Sequence, residues 1–347
     1  MSSQLVRNLR GLMAMLGMPP SARILRIAAG YWFSRALYVV TQLGIADLLK
    51  DGPKSAEELA AATRNNPDAL FRMMRVLAVL EVFAEVEPRS FALTPLSETL
   101  RSDAPGSVRA QVLSLVGDLH WMAYKDLGYS VQTGQPAFDH VFGQNAWEYL
   151  SEHPEESLLV QQQFAAFTSA ASPAIAAAYD FSAFRTIMDV GGGNGTLLAA
   201  ILKKHLGPRG ILFDLPYAIE HARAAGLLPA GRSQLEAGDM FESIPAGADA
   251  YVFKNIIHDW PDDQASTILR VCRRAMSGAN KLLLVEALIT PGGSPYAKLA
   301  DLEMLVMHGS RERTEEEFRQ LLASTGFRLD RIVPTKSPVW IVEGSPV

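Results

Sequence analysis

A glycine-rich turn in the middle of this 347-residue chain has the residue types and spacing of a ligand-binding loop. Gly191, Gly193 and Gly195 alternate within the run 189–195, after a short apolar stretch and before a leucine- and alanine-rich one. Glycine adopts backbone conformations that other residues resist, and it lets a ligand come close to the main chain. A helix that follows directs its free N–H groups to the same place. The pattern predicts a strand, a cofactor-binding turn and a helix.

The spacing within this turn argues against a nicotinamide dinucleotide. The fingerprint G-x-G-x-x-G needs its third glycine at position 196, which is Thr196. Here the third glycine is Gly195, and Asp189 lies two residues before the first one. A tight turn in an unrelated α/β protein is the alternative, so the neighbouring loops have to decide.

Polar residues follow the next predicted strands, where a parallel α/β sheet binds its cofactor. Asp214 ends the apolar strand 210–214 and is placed to hold ribose hydroxyl groups, although a helix cap is an alternative. Carboxylate and apolar groups after the strand 233–237 could hold an adenine ring, although Met and Phe there could equally pack in the core. The predicted cofactor residues of these loops are Asp214, Leu215, Gly238, Asp239, Met240, Phe241 and Lys254.

The loop after the strand 249–254 contains the motif His258-Asp259-Trp260. With the pattern D-x-G-x-G-x-G that begins at Asp189, it resembles the S-adenosylmethionine (SAM)-dependent small-molecule O-methyltransferases of the plant caffeic-acid type and their bacterial relatives in secondary metabolism. The resemblance covers the chain from about residue 180 to the end, and the earlier part loosely. It implies SAM as cofactor, S-adenosylhomocysteine as its product, no metal, and an aromatic or enolic small-molecule acceptor.

The resemblance implies that His258 is the catalytic base. A phenol has a pKa of about 10, and a histidine, with an ordinary pKa of about 6.5, can take its proton as the oxygen attacks. The family supports this base with two carboxylates, which Glu286 and Glu312 match. Glu312 lies in the stretch 309–314, which departs from the family's G-G-K-E-R-T by a serine and an arginine. A structural histidine and a solvated Glu312 before a capped helix are the alternatives.

The same resemblance assigns further residues to the acceptor. Methionine suits an irregular apolar pocket, but a methionine stripe at helical spacing is more often core, and core packing explains the aromatic residues at least as well. The residues predicted to contact the acceptor are Asp259, Trp121, Phe164, Phe167, Met304, Met307 and His308.

Three parts of the chain must position these residues. We predict a mostly helical, winged-helix-like dimerisation domain at 1–110, a helical bridge that lines the acceptor pocket at 111–180, and a SAM-binding catalytic domain at 181–347. The catalytic domain is expected to be α/β, with a Rossmann-like class I methyltransferase sheet, helices on both faces and an antiparallel edge pair at its end. Helices are predicted at 110–129 and 145–179 in the bridge.

The N-terminal pattern consists of a helix opened by a capping box at Ser55, a second helix at 68–80, and a hairpin at 82–94. Winged helices often bind DNA, but residues 51–110 hold seven basic and nine acidic residues, whereas DNA binding requires a basic face. We therefore predict no nucleic-acid partner. The resemblance implies a homodimer formed through this domain.

Composition is that of an ordinary globular protein, with 48% hydrophobic residues and a net charge of −5. No run of 18 apolar residues occurs, so no membrane span is predicted. The single cysteine, Cys272, excludes an internal disulfide and a cysteine-cluster metal site. We expect a cytoplasmic enzyme. The competing functions are a SAM-binding relative with another chemistry, such as hydroxylation or decarboxylation, and a non-enzymatic winged-helix regulator.

Overall fold

The computed structural model describes residues 19–347, which form two compact units that divide between Gly117 and Asp118. The first unit is mostly helical. Its helices are α1 (Pro20–Ala28), α2 (Gly30–Gln42), α3 (Ile45–Leu48), α4 (Ala56–Thr63), α5 (Pro67–Val79), α6 (Pro95–Glu98) and α7 (Arg109–Leu115). Its three strands, β1 (Lys54–Ser55), β2 (Phe83–Glu87) and β3 (Ser90–Leu93), form an antiparallel sheet in the order β1-β3-β2.

Local signals in the sequence account for the helix pair and hairpin of the first unit. The capping box at Ser55 is present, since the Glu58 N–H donates to Ser55 Oγ at 3.1 Å and the Ser55 N–H donates to Glu58 Oε2 at 2.7 Å. Apolar residues of α2, α4 and α5 pack with Phe83 and Phe91 of the hairpin in one core. The predicted helices and hairpin are confirmed, and β1 adds a third strand that the pattern did not indicate.

The second unit begins with five helices, where two were predicted. They are α8 (Asp118–Lys125), α9 (Leu127–Thr133), α10 (Ala137–Phe142), α11 (Ala146–Glu152) and α12 (Pro154–Ala178). The predicted helix 110–129 is divided into α7, α8 and the start of α9, with breaks near Gly117 and Asp126, because glycine and aspartate are weak helix formers. The predicted helix 145–179 breaks at His153, because a proline disfavours helical backbone in the residue before it.

The rest of the second unit is built on strands. These are β4 (Thr186–Val190), β5 (Arg209–Asp214), β6 (Ser233–Ala237), β7 (Ala250–Lys254), β8 (Lys281–Glu286), β9 (Leu288–Ile289), β10 (Arg313–Thr314), β11 (Phe327–Pro334) and β12 (Trp340–Pro346). The helices between them are α13 (Thr196–Lys204), α14 (Pro216–Ala225), α15 (Asp262–Ala275), α16 (Pro295–His308) and α17 (Glu315–Ser324). Short 3₁₀ turns occupy Phe181–Ala183 and Ile257–Asp259.

Seven of these strands form one sheet in the order β11-β12-β8-β7-β4-β5-β6. The five strands from β8 to β6 are parallel, and β12 and β11 close the sheet with antiparallel pairing. The consecutive residues Ile187 and Met188 of β4 belong to two different hydrophobic clusters, because neighbouring side chains of a strand face opposite sides of the sheet. Both faces are covered, and the predicted fold class is confirmed.

The strand order brings the functional loops together. The chain leaves β4 towards β5 and β6 on one side and returns to β7 and β8 on the other, so β4 lies at the reversal where such sheets bind ligands. Asp214, Lys254 and Glu286 are the last residues of β5, β7 and β8, and Asp189 is the next-to-last of β4. A small parallel pair of β9 and β10, not anticipated from the sequence, brings the Glu312 segment beside the end of β8.

None of the helices within residues 19–347 combines the length and the apolar character that crossing a membrane would require.

Candidate active site

The glycine turn after β4 is held in the geometry that its sequence predicts. Gly191, Gly193 and Gly195 have φ angles of +68°, +58° and +81°, in the left-handed region that favours glycine. The Gly193 N–H donates to Asp214 Oδ2 at 2.8 Å, which ties the turn to the end of β5. Gly195 is the N-cap of α13, so the free N–H groups of that helix lie at the turn.

Gly192 is a fourth glycine of the turn that the sequence pattern left out. A Cβ built on it would lie 2.4 Å from Leu212 Cδ1 and 2.6 Å from the Asp189 carboxyl group. The reason for this glycine is therefore close packing rather than a positive φ. Spacing patterns do not reveal this kind of requirement, because it arises only when β4 and β5 are paired.

The Asp189 carboxyl group lies under the turn, 1% exposed. By distance and angle, neither of its oxygens has a hydrogen-bond partner within the part of the chain that the structure describes, and the Leu198 backbone N–H is near enough only to favour its charged form slightly. Burial and the nearby Asp214 raise the pKa of Asp189 to about 7, against the opposing charge of Lys254. An unpartnered buried carboxyl group is costly to leave in a folded protein, and a ligand with donor groups can satisfy it.

Asp214 holds the loop rather than capping a helix. Its Oδ1 accepts the Leu215 N–H at 2.7 Å and its Oδ2 accepts the Gly193 N–H at 2.8 Å. Leu215 is the N-cap of α14 and makes no side-chain cap, so the helix-cap explanation for Asp214 does not apply. Burial raises the pKa of Asp214. Each oxygen has accepted one hydrogen bond and retains a lone pair for a ligand hydroxyl group.

The loop after β6 approaches the His258 segment through an aromatic contact. Asp239 Oδ1 accepts the Phe241 N–H at 2.8 Å and fixes this turn after Gly238. The Phe241 ring meets Trp260 edge to face, with centroids 4.8 Å apart. Met240 and Phe241 also pack against the core cluster on one face of the sheet, so the core packing considered from sequence is part of their environment.

His258 lies in the 3₁₀ turn Ile257–Asp259 with only 6% of its surface exposed. Its Nδ1 lies 2.7 Å from Glu312 Oε1, and its Nε2 lies 3.3 Å from Asp259 Oδ1. Glu312 is 3% exposed, which excludes the solvated charge considered from sequence. An imidazole held at both nitrogens by carboxylates is oriented and can carry a proton.

Proton affinities in this cluster are strongly shifted. Burial by itself would lower the pKa of His258, but Asp259, Glu312 and Glu286 outweigh it and raise that pKa to about 10. Burial raises the pKa of Asp259 to about 7, although the His258 charge opposes the change. A phenol has a pKa of about 10, so an imidazole whose pKa is raised by neighbouring carboxylates is a better match for a hydroxyl proton than an ordinary histidine.

Glu286 and Arg313 hold the backbone of the His258 turn. Glu286 Oε1 accepts N–H groups from three consecutive residues, 256–258, the shortest at 2.7 Å from Ile257. The structure therefore places Glu312 on the imidazole ring and Glu286 on the main chain behind it. Arg313, 1% exposed, donates to the Ile257 and Trp260 carbonyl oxygens at 3.1 and 3.3 Å, and pairs with Asp262 at 2.7 Å. Arg313 directly follows Glu312 in the G-G-K-E-R-T-like stretch 309–314, and the motif by itself indicated no role for it.

Lys254 lies between the glycine turn and the His258 turn. Its Nζ donates to Thr168 Oγ1 of α12 at 3.0 Å. Burial lowers the pKa of Lys254 to about 8, while Asp189, Asp259 and Glu286 oppose that change. The ammonium group is therefore in electrostatic range of carboxyl groups at both ends of the site.

The predicted acceptor residues lie in different surroundings in the structure. His308 stacks on Trp147 at 5.1 Å, and Trp147 stacks on Trp260 at 6.1 Å, so Trp147 of the helical bridge connects His308 to the His258 turn. Burial and His258 lower the pKa of His308 to about 4. Met307 packs in a cluster with residues of α8, α10 and α11, as the core explanation requires. The remaining predicted residues are buried Met304, half-buried Trp121, and Phe164 and Phe167, which are 46% and 38% exposed.

Comparison with known proteins identifies the family to which this chain belongs. Residues 124–328 match the O-methyltransferase domain, and residues 25–103 match the O-methyltransferase dimerisation domain. The chain belongs to the O-methyltransferase family. It is 43% identical to phenazine O-methyltransferase PhzM of Lysobacter antibioticus, over 95% of this chain and 97% of that protein. It is 34% identical to a phenazine-1-carboxylate N-methyltransferase of Pseudomonas aeruginosa, over 89% of this chain and 92% of that protein.

Solved structures give the same result. The crystal structure of LaPhzM has a TM-score of 0.91 and 42% identity, covering 95% of this chain and 100% of that one. NcsB1, an O-methyltransferase from neocarzinostatin biosynthesis solved with SAM and 2-hydroxy-5-methyl naphthoic acid, has a TM-score of 0.82 and 32% identity, covering 93% of this chain and 98% of that one. The protein is a SAM-dependent methyltransferase of the secondary-metabolism type.

The residues at the ends of β4 and β5 fit this cofactor. The glycine turn leaves the space beside Gly193 open, since no atom lies within 4 Å of a Cβ built there. Asp189 offers an unpartnered buried carboxyl group, and SAM is a cation with hydrogen-bond donors. Among residues 19–347, no group of three or more His, Cys, Asp or Glu side chains is arranged to hold a metal ion.

Proposed function

We propose that the protein methylates a hydroxyl oxygen of an aromatic or enolic small molecule, in secondary metabolism, with His258 as the base. The observation that carries this proposal is the buried pairing of His258 Nδ1 with Glu312 at 2.7 Å. Methylation of a hydroxyl group needs a group that takes its proton, whereas a neutral amine already has a free electron pair. A buried imidazole–carboxylate pair with a raised pKa supports oxygen over nitrogen as the methylated atom.

The proton has a route through this chain's own residues. Bound SAM supplies an electrophilic methyl group that needs no metal to activate it. The imidazole rests protonated and becomes a base only when its Nε2 proton moves to Asp259 Oδ1, 3.3 Å away. This step is uphill, and the raised pKa of that carboxyl group, about 7, lowers its cost. The Nε2 lone pair then takes the hydroxyl proton, and Glu312 stabilises the resulting imidazolium from Nδ1. We assign Glu286 and Arg313 to positioning the turn.

The proposed cofactor residues act by position and charge. The glycine turn from Gly191 to Gly195 gives close access to the main chain, and Asp189 provides a carboxyl group for the cationic part of the cofactor. We assign Asp214 to the ribose hydroxyl groups. The residues Leu215, Gly238, Asp239, Met240 and Phe241 are assigned to the adenosine side, and Lys254 to the junction with the acceptor. We assign Asp259 two roles, contact with the acceptor and acceptance of the His258 proton. The other residues assigned to contact with the acceptor are Trp121, Phe164, Phe167, Met304, Met307 and His308.

The domain boundaries at 110 and 180 and the cytoplasmic location stay predictions.

A panel of phenols, hydroxyquinones and flavonoids incubated with enzyme and SAM, read by mass spectrometry, tests the function. We expect at least one acceptor to gain one methyl group while S-adenosylhomocysteine accumulates. SAM binding without transfer to any acceptor would favour a regulator, and a mass change other than a methyl group would favour another chemistry.

We predict that Asp214→Ala weakens SAM binding by about 1.5–3 kcal/mol, as expected for the loss of a hydrogen-bonded carboxylate. The ribose would lose its acceptor, and the Gly193 N–H would lose the bond at 2.8 Å that holds the turn. Calorimetry with SAM measures the change. Asp330→Ala, at the far antiparallel edge of the sheet, is the control and should bind SAM like the parent. Unchanged affinity in Asp214→Ala would remove Asp214 from the site.

We also predict a homodimer formed through the dimerisation domain. Helix α1 has no buried residue, and Ile24, Leu25 and Ile27 are 65%, 69% and 71% exposed, so the helix presents an apolar surface to be covered. Light scattering at micromolar concentration should give about twice the chain mass of 37.8 kDa. Ile24→Glu with Ile27→Glu should shift the protein towards monomer, whereas Leu206→Glu, an equally exposed site in the second unit, should not. A parent protein that is monomeric and active contradicts the prediction.

A further inference from the structure

A second buried histidine–carboxylate pair lies in the same unit as His258. His120 of α8 and Glu303 of α16 approach with Nε2 and Oε1 2.7 Å apart. The Tyr124 hydroxyl group donates to the other oxygen, Oε2, also at 2.7 Å. The mechanism proposed above uses none of these three side chains, and no sequence motif indicated them.

Both oxygens of the Glu303 carboxyl group have a hydrogen-bond donor in this arrangement. Burial alone would raise its pKa, but the hydrogen bonds from His120 and Tyr124 outweigh burial and lower it. Glu303 is therefore ionised and can only accept, so the Nε2 of His120 carries the hydrogen. The other ring nitrogen, Nδ1, can then accept a hydrogen bond in the neutral ring or donate one in the protonated ring.

His120 Nδ1 is the unsatisfied atom of the cluster. His120 is 8% exposed, and its Nδ1 is buried without a hydrogen-bond partner among the residues that the structure describes. Joining α8 to α16 needs only Nε2, Glu303 and Tyr124, so a structural tie does not account for the free nitrogen. A buried polar nitrogen left unpaired costs free energy, which a ligand hydroxyl group, able to donate or to accept, would recover.

The cluster is connected to the proposed acceptor site through His308. His308 lies in electrostatic range of His258, Glu303 and His120, and it stacks on Trp147. Both histidine–carboxylate pairs therefore lie near one aromatic stack, the first next to Trp260 and the second within electrostatic range of His308. An aromatic molecule bound against that stack could place one hydroxyl group at His258 and a second one at His120.

We propose that His120 is a second acceptor-binding residue, whose Nδ1 forms a hydrogen bond with a hydroxyl group other than the one that is methylated. The inference rests on the proposed function for its ligand class, and it narrows that class to aromatic acceptors with two hydroxyl groups. Glu303 and Tyr124 position the imidazole and fix its tautomer.

Binding to the S-adenosylhomocysteine complex tests this without turnover. Calorimetry compares each dihydroxynaphthalene isomer with the naphthol that retains one of its hydroxyl groups. For at least one isomer, we expect the parent to bind the diol about five- to tenfold more tightly than the naphthol, the value of one buried hydrogen bond. In His120→Phe this preference should disappear. The matched control is His140→Phe, which breaks an exposed pair with Asp126 and should keep the preference.

The outcomes separate this inference from the proposed function. A diol preference that is equal in the parent and in His120→Phe overturns the inference, and so does a parent with no diol preference. Tyr124→Phe, which removes one bond to Glu303 and keeps His120, should reduce the preference only partly. A preference that depends on His120 in a protein that transfers no methyl group to oxygen would overturn the proposed function and leave the binding site standing.

Discussion

His258→Gln should lower methyl transfer to a phenolic acceptor by about 10²- to 10⁴-fold at pH 7, the usual effect of losing a positioned base. Glutamine can still donate to Glu312, so the buried carboxyl group keeps a partner and the fold is preserved. SAM binding should be unchanged, because the proposed cofactor residues lie on other loops. Single-turnover rates and calorimetry measure the two effects.

The pH dependence separates a base from a structural histidine. A phenol ionises without help as the pH approaches its pKa of about 10, so the difference between parent and variant should shrink as the pH rises. A structural histidine would lower activity equally at every pH. The exposed His140→Gln serves as the control and should follow the parent.

Glu286→Gln should show a milder loss than His258→Gln, because the imidazole remains but its backbone is less well held.

The resting proton on His258 gives an independent check of the electrostatics. The pKa of His258 is raised to about 10, so the imidazolium should persist at pH 8, where an unperturbed histidine is neutral. Because the folded pKa is the higher one, this stabilisation is fully present below the unfolded pKa of about 6.5 and is lost as the pH rises towards about 10. Nitrogen NMR of labelled protein reads the protonation state, and a neutral ring at pH 8 would contradict the assignment.

Gly192→Ala should have the second-largest effect, because it weakens both SAM binding and the fold. The added Cβ would lie 2.4 Å from Leu212 and 2.6 Å from the Asp189 carboxyl group, and neither can move freely in the sheet core. Overpacking of this kind costs about 1–3 kcal/mol. We expect a lower melting temperature and at least about tenfold weaker SAM binding, since displacing the turn by even a small distance misplaces its N–H groups.

Gly207→Ala is the matched control for this variant. No atom lies within 4 Å of a Cβ built at Gly207, so the same chemical change should leave melting and SAM binding unaltered. A Gly192→Ala protein that binds SAM like the parent would show that the turn can shift without cost, and the close packing of Asp189 beneath it would then have no role in binding.

Much of the architecture was predictable because its signals are local. Short apolar runs that end at glycine or polar residues predicted β4 to β8, and the capping boxes at Ser55 and Thr314 marked helix starts that the structure confirms. Helix interruptions were harder, because apolar periodicity continues across His153 and only the following proline indicates the break. The short pair of β9 and β10 has no signal of its own, since two residues on each strand pair only after the sheet has formed.

The candidate site was predictable where it follows a motif and hidden where it depends on tertiary contacts. His258 and Glu312 are 54 positions apart, and only their family resemblance linked them before the structure brought them to 2.7 Å. The members of the His120–Glu303 pair had no such pattern. Their roles depend on burial and on the pairing of distant helices, neither of which residue spacing encodes.

Transfer of a carbon-13 methyl group from labelled SAM to an aromatic acceptor with both hydroxyl and amino groups tests the central claim most directly. Heteronuclear NMR of the product identifies the atom that carries the label. We predict that the methyl group is on a hydroxyl oxygen in the parent, and that His258→Gln forms this product far more slowly. A methyl group found on nitrogen, formed at the same rate in both proteins, would contradict the account of His258 as the base of an O-methyltransferase.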